Sequence, residues 1–389
     1  DMERDGKNER VGKNVFRVTT FTIPTSMNQV KEEFHFSTIN KYNLSKEELI
    51  RNAIELHLEG NTIEAEKYYR YFCNKGFTDQ RVFCNYGNIL MNLGAFEEAE
   101  FYTRKAIELN PNYAIALSNL GSILCTKKEL KEAKTVTLKA IKLNPNSPDF
   151  YFNLGCILND EEKFIDAEKS ILKAIELNPN SGDLYLNLGN ILKSQNKLEE
   201  AKKVTRNAID IDPNKYIYHY NYGVILKELG EFDEAKKSTI KAIKLNSNFA
   251  EAYLNLGAIY KSLRKFSEAE IHTRKAISLN PNYYEAYSNL GSILINIGEF
   301  ENAKASILKA LKINPFLAKA YFLLSILKIG DPHEVWINKL FSNDIVMNKS
   351  PQEKIDIYFA RANILHSQKK YSESTKYLKL ANRTKLLIK

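Results

Sequence analysis

The chain has 389 residues, enough for two or three ordinary domains or for one long repeat array. Its 44% hydrophobic content excludes a disordered polymer, while a formal charge of +9 raises the question of an acidic partner. No apolar run approaches the roughly 18 residues of a membrane helix, and no charged-then-apolar leader opens the chain, so a cytoplasmic protein with no membrane partner is expected.

Residues 1–43 have no periodic pattern. Val15–Ile23 fits a short strand, and the rest is expected to be an irregular, partly mobile lead-in. Residues 44–77 form a divergent first helix pair, with Gly60 and Ala65 in register with the regular units. Residues 78–316 contain seven of these regular units, each of 34 residues. Gly87, Gly121, Gly155, Gly189, Gly223, Gly257 and Gly291 keep that step, as do the alanines from Ala99 to Ala303 and from Ala106 to Ala310. Prolines such as Pro111, Pro145 and Pro179 close the units, with Ser247 replacing one. Within a unit the spacing predicts helix, turn, helix, turn. Leu117, Leu120, Gly121 and Leu124 share one helical face, Lys127–Glu129 is the first turn, and Pro145 ends the second helix by forcing Asn144 out of the α region. Asn146 is the expected N-cap of the next helix. Residues 317–389 read as degenerate repeats and a C-terminal cap: Ser325 stands in the glycine position, Asp331-Pro332 interrupts a turn, and Ala362, Tyr371 and Ala381 recover the pattern loosely.

A glycine inside a helix costs about 1 kcal/mol relative to alanine, so seven of them require a reason. The expected reason is close approach, with each glycine facing an alanine of the second helix. Cys73, Cys84, Cys125 and Cys156 fall inside predicted helices without a CxxC pair, as expected of small, buried or half-buried residues in a reducing compartment.

The pattern LSNLGSIL…EAK…KAIKLNP resembles the tetratricopeptide repeat family over about residues 46–316. The recurrent threonines Thr103, Thr137, Thr205, Thr239 and Thr273 depart from the bulky residue usual between the alanines. The resemblance implies an all-α solenoid, a right-handed superhelix of about ten antiparallel helix pairs, acting as a non-catalytic scaffold that binds protein or peptide in its concave groove.

Two residues before each glycine, on the face turned away from the second helix, stand Asn85, Asn119, Asn153, Asn187, Asn221, Asn255 and Asn289. An amide offers donors and an acceptor, so this ladder suits the backbone of an extended peptide; the alternative is that it bonds neighbouring helices. The repeats of protein O-linked N-acetylglucosamine transferases carry a similar ladder, and that resemblance implies peptide binding. Asp149, Asp183, Asn190, Glu251 and Glu285 share the wall, with Asn88, Asn92, Asp160, Glu228 and Asn296. Arg81 is the one clear cation there, and Lys193, Lys227 and Lys261 form a minor strip at the rim. The charge excess lies on second helices (Lys105, Lys139, Lys173, Lys202, Lys236, Lys244). A groove of this character favours a neutral or basic extended peptide and disfavours nucleic acid, whose phosphates need cations. It also lacks the lysine and arginine set of a chaperone-type carboxylate clamp. End repeats could stack in self-association.

No catalytic motif appears, and the six histidines have no metal-ligand spacing, so neither a cofactor nor a metal is expected. Residues Lys354–Lys385 resemble the last repeat before the catalytic domain of bacterial tetratricopeptide–sulfotransferase fusions. That resemblance implies an alternative role: the substrate-recruiting region of a sulfotransferase whose catalytic domain is absent from this chain.

Overall fold

The structure is a computed structural model that describes residues 44–327 and 335–387. Every regular element among the described residues is a helix. The expected strand at Val15–Ile23 and the Asp331-Pro332 interruption lie outside those residues. The chain divides into two compact units, one ending at Asp212 and one beginning at Pro213.

The first unit contains five antiparallel pairs: α1 (Lys46–Leu58) with α2 (Thr62–Asn74), α3 (Gln80–Asn92) with α4 (Phe96–Leu109), α5 (Ala114–Thr126) with α6 (Leu130–Leu143), α7 (Pro148–Asp160) with α8 (Phe164–Leu177), and α9 (Gly182–Ser194) with α10 (Leu198–Ile211). The second unit continues with α11 (Tyr216–Glu228) and α12 (Phe232–Leu245), α13 (Ala250–Ser262) and α14 (Phe266–Leu279), and α15 (Tyr284–Ile297) and α16 (Phe300–Ile313). The order then changes. α17 (Ala318–Leu327) packs on α19 (Pro351–Ser367), which pairs in turn with α20 (Tyr371–Leu386); among the described residues, the short α18 (Val335–Phe341) and a 3-10 turn at Asp344–Val346 lie between α17 and α19. Arg361 joins these pieces. It is buried, its Nε and Nη2 donate to the carbonyls of Leu340 and Ser342 (both 2.8 Å), and its guanidinium lies over the Phe341 and Tyr377 rings.

Each turn has a local cause. Inside a pair, one residue takes the left-handed conformation: Gly94, Gly230 and Gly298, but also Lys128, Glu162, Asn196 and Arg264. Glu129 N–H then bonds back to Leu124 O (2.9 Å) and Lys128 N–H to Cys125 O (3.0 Å), which satisfies the last carbonyls of the helix. Between pairs, Asn144 is extended (φ −139°, ψ 92°), as the following proline demands. Its Oδ1 accepts the N–H of Asn146 (3.2 Å), and Asn110, Asn246 and Asn280 do the same two residues on. Asn146 is therefore not the N-cap expected from the sequence. It is spent inside this turn, Ser147 holds the N-cap, and Pro148 supplies the preset φ of the first helical turn.

The repeat glycines do mark close approach, but not to an alanine side chain. A Cβ on Gly223 would stand 2.5 Å from Thr239 Oγ1 and 3.2 Å from the Ala235 carbonyl; on Gly155 it would stand 2.6 Å from Ile171 Cδ1. The knob is the residue between the two alanines, usually threonine. The alanine contributes a bare carbonyl that the threonine hydroxyl caps, as Thr137 does to Ala133 and Thr239 to Ala235 (both 2.8 Å). The alanine methyls are fully buried elsewhere in the core.

First helices also meet first helices. α3 touches α5, α5 touches α7, α11 touches α13, α13 touches α15, and α15 touches α17. Among the described residues, no two successive second helices make comparable contact. Within each unit the first helices thus form the closely spaced wall and the second helices fan apart. The four thiols are free; Cys84, Cys125 and Cys156 are buried, Cys73 half-buried, and burial pushes Cys73 up to about 11 and Cys84 and Cys125 up to about 12.

Gly121→Ala is expected to cost about 1–3 kcal/mol, because Thr137 and the Ala133 carbonyl leave no room for a methyl. Urea denaturation followed by circular dichroism measures this, and adding Thr137→Ala should recover most of the loss. Arg361→Met orphans two carbonyls and should selectively raise amide exchange in residues 335–346.

Candidate functional site

The asparagine ladder is set into the wall. Asn119, Asn153, Asn187, Asn221 and Asn255 are 3–9% exposed, whereas Asn85 and Asn289 are half-buried. Six of the seven donate one amide hydrogen within the chain. In the first unit Asn85 Nδ2 donates to Tyr69 Oη (3.3 Å), Asn119 Nδ2 to Cys84 Sγ (3.4 Å), Asn153 Nδ2 to Ser118 Oγ (2.9 Å) and Asn187 Nδ2 to Asp183 O (2.7 Å). In the second, Asn221 Nδ2 donates to Ile217 O (2.8 Å) and Asn255 Nδ2 to Thr239 Oγ1 (3.0 Å). Three of these bonds, those of Asn119, Asn153 and Asn255, tie one regular repeat to the one before it. The Oδ1 atoms are treated differently. Asn153 Oδ1 is buried without a partner, and those of Asn255 and Asn289 accept from lysines.

The acidic positions lie six residues before each glycine. Asp149 is exposed, while Asp183, Glu251 and Glu285 are half-buried. Surrounding protein raises the proton affinity of Asp149 and Glu285 by desolvation, and the Oε2 of Glu285 is buried without a hydrogen-bond partner. Tyr220, in the same unit, is pushed up to about 12 by burial and by the charge of Glu251. Asn190 is buried. Of the other wall residues, Asp160 accepts from Lys128 Nζ (2.8 Å), Asn92 donates to Asn88 Oδ1 (3.1 Å), Asn296 donates to Ser292 O (2.7 Å), and Arg81 is held by Asp79 (2.9 Å). Glu228 is exposed.

The second unit also carries cations on this wall. Lys227 Nζ donates to Asn255 Oδ1 (2.8 Å), Lys261 Nζ to Ser292 Oγ (3.3 Å) and Lys319 Nζ to Asn289 Oδ1 (2.7 Å). The rim strip read from the sequence thus extends over the wall itself at Lys227 and Lys261. Lys319 was not singled out by sequence. The signal that marks it is register: Lys319 stands six residues before Ser325, the place Glu251 and Glu285 hold before their glycines, with the charge reversed. On second helices many charges are paired locally, as Lys173 with Glu176 (2.8 Å) and Arg206 with Asp210 (3.3 Å). Among the described residues no group of three or more His, Cys, Asp or Glu could hold a metal ion, and no helix is long and apolar enough to cross a membrane.

Family models described as tetratricopeptide repeat match residues 81–113, 114–147, 136–169, 170–203, 250–283 and 284–316, and a model described as TPR repeat matches 223–263. Together they span more than half of the chain. They stop short of 354–385, the stretch behind the sulfotransferase resemblance. No curated protein matches. Among solved structures, the Cut9 and Hcn1 hetero-tetramer of APC/C gives a TM-score of 0.58 at 16% identity, covering 75% of this chain and 57% of that one. A tetratricopeptide repeat protein from Parabacteroides merdae gives 0.52 at 19% identity, covering 64% and 98%. YrrB, described as a TPR protein with an unusual peptide-binding site, is 26% identical over 47% of this chain and 95% of its own, with a TM-score of 0.38. The first two show the fold.

Burial raises the pKa of Glu285 above its unfolded value, so its ionised form is penalised above the folded pKa, and the penalty fades as pH falls through it. Glu285→Gln should therefore raise the melting temperature at about pH 7 and lose that advantage near about pH 4, as thermal scans of both proteins at both pH values would report.

Proposed function

Because the chain belongs to the tetratricopeptide repeat family, we propose that it is a non-catalytic scaffold that binds an extended polypeptide along the first-helix wall. The observation that carries this reading is an asymmetry in that wall. Six of its seven ladder asparagines bond an amide N–H within the chain, while three side-chain oxygens remain for a ligand. Among the described residues, the Oδ1 atoms of Asn119, Asn187 and Asn221 have no partner within the chain, and Asp149 and Glu251 add carboxylates that water can reach. Such a surface accepts hydrogen bonds from the backbone N–H groups of an extended chain and from basic side chains. It does so without fixing side-chain identity at most positions. In this reading the ladder has two jobs: the nitrogens of Asn119, Asn153 and Asn255 tie repeats together, and the oxygens of Asn119, Asn187 and Asn221 face the ligand. The carboxylates of Asp149, Asp183, Glu251 and Glu285, with Asn190 among them, give the preference for a neutral or basic segment.

Titration calorimetry with an extended lysine-containing peptide tests this. Asp149→Asn with Asp183→Asn should weaken binding about tenfold, roughly 1.4 kcal/mol, with the helical content unchanged. Unchanged affinity in that variant, together with loss of binding on reversing second-helix charges such as Lys139→Glu, would move the contact surface to the opposite face and sink the reading.

A further inference from the structure

Oxygen groups without a counter-ion gather at one place on the wall of the second unit. Glu251 and Glu285 stand in the first turns of α13 and α15, first helices that touch one another, and both are half-buried. Tyr283, the N-cap of α15, is buried in one cluster with Ala250 and Leu254 of α13. Its hydroxyl lies within the field of Tyr220 and of both carboxylates, and Tyr220, on α11, feels Glu251. Burial first, and then neighbouring negative charge, push Tyr220 up to about 12 and raise Tyr283 and Glu285 as well. Among the described residues Glu251 and Glu285 form no ion pair, and the hydroxyls of Tyr220 and Tyr283 make no hydrogen bond. Glu285 Oε2 is buried without a partner. So is the hydroxyl of Ser288, which is 2% exposed and stands three residues on, on the same helical face.

Aromatic rings border these oxygens. Phe249, the N-cap of α13, is two residues from Glu251, and Tyr216 and Tyr220 meet it edge-on with ring centroids 5.0 and 4.9 Å away. All three rings are half-buried, so part of each reaches solvent. The matching N-cap positions of α7 and α9 are Ser147 and Ser181, so Asp149 and Asp183 have no such ring beside them in sequence. A ring face attracts a cation, more strongly where water is partly excluded. Carboxylates crowded in such a place cost free energy that an arriving cation relieves. The two basic side chains differ here. An ammonium is compact and strongly hydrated, whereas a guanidinium is flat, weakly hydrated, stacks on rings and carries five N–H donors. Packed helix axes lie about 8–10 Å apart, and a flat group with donors on two edges suits carboxylates on two such helices better than a point charge does.

We propose that Glu251, Glu285, Tyr216, Tyr220 and Phe249 form a guanidinium subsite on the first-helix wall of the second unit, taking an arginine side chain of the bound polypeptide. The proposal rests on the polypeptide-binding reading and deepens it. Asp149 and Asp183 favour basic segments in general, while this subsite tells one basic side chain from the other. Glu251 meets the guanidinium at the mouth, and Glu285 supplies charge behind it.

The test uses the full chain, fluorescence anisotropy, and labelled peptides that alternate serine with arginine, lysine or citrulline, the uncharged isostere of arginine. The arginine peptide should bind about tenfold more tightly than the lysine peptide, with the citrulline peptide weakest. Glu251→Gln should bring the arginine and lysine peptides to about the same affinity, with helical content unchanged. Phe249→Leu keeps the apolar bulk without the ring and should cut the arginine preference about threefold. Equal affinity of the two basic peptides in the parent, binding of neither, or a preference that survives in both folded variants overturns the proposal. If Asp149→Asn with Asp183→Asn leaves the lysine peptide unaffected while the arginine preference still needs Glu251, the general groove reading falls and the subsite stands. If the lysine peptide needs those acids and arginine gains nothing over lysine, the groove reading stands and the subsite falls.

Discussion

The structure depends on one steric contact repeated along the chain: a helix backbone with no side chain pressed against a threonine or isoleucine of its partner. The contact leaves no room for a methyl group. It fixes how near the two helices of a pair lie, and that in turn fixes where the next pair can stack. The threonine is suited to this place because its hydroxyl returns a hydrogen bond to the helix's own carbonyl, as Thr273 does to Ala269 at 2.7 Å, so a polar atom can sit in an apolar seam. Thr103 and Thr205 occupy the same place with hydroxyls that lack a partner, so shape rather than hydrogen bonding is the common requirement.

Once pairs are set, the stacking of first helices decides what the wall can offer. Asn119, Asn153 and Asn255, each two residues before a glycine, bond across the seam between neighbouring repeats. Asn153 donates across that seam to Ser118, and Asn119 to Cys84. A buried amide that bonds its neighbour holds repeats in register, because losing the bond leaves polar groups unsatisfied.

Charge on the wall follows from the same crowding. Residues there touch water but are hemmed in by protein, so acids such as Asp149 hold protons more tightly and bases such as Lys261 and Lys319 less tightly than in open solution. The second-helix charges, spread over a surface that fans apart, pair locally and stay solvated. A net charge of +9 thus says little about the wall, where charge is placed position by position.

The sequence by itself determined the period, the helix pairs, the turns and the identity of the wall positions, because each depends on local chemistry. A proline forces its predecessor out of the α region, a helix presents every third or fourth residue on one face, and a 34-residue step repeats that geometry. It did not determine which atoms meet across repeats. The knob opposite Gly121 is Thr137 and not Ala133, since side-chain direction along the second helix decides the contact, and spacing alone does not supply it. Asn146 failed as a cap because Asn144 captured its N–H first. Lys319 escaped notice because its repeat has lost the glycine, and only the packing of α17 against α15 brings its ammonium to Asn289 beside Lys261. Distances between side chains on different helices are set by close packing of the whole stack, and tertiary structure alone decides them.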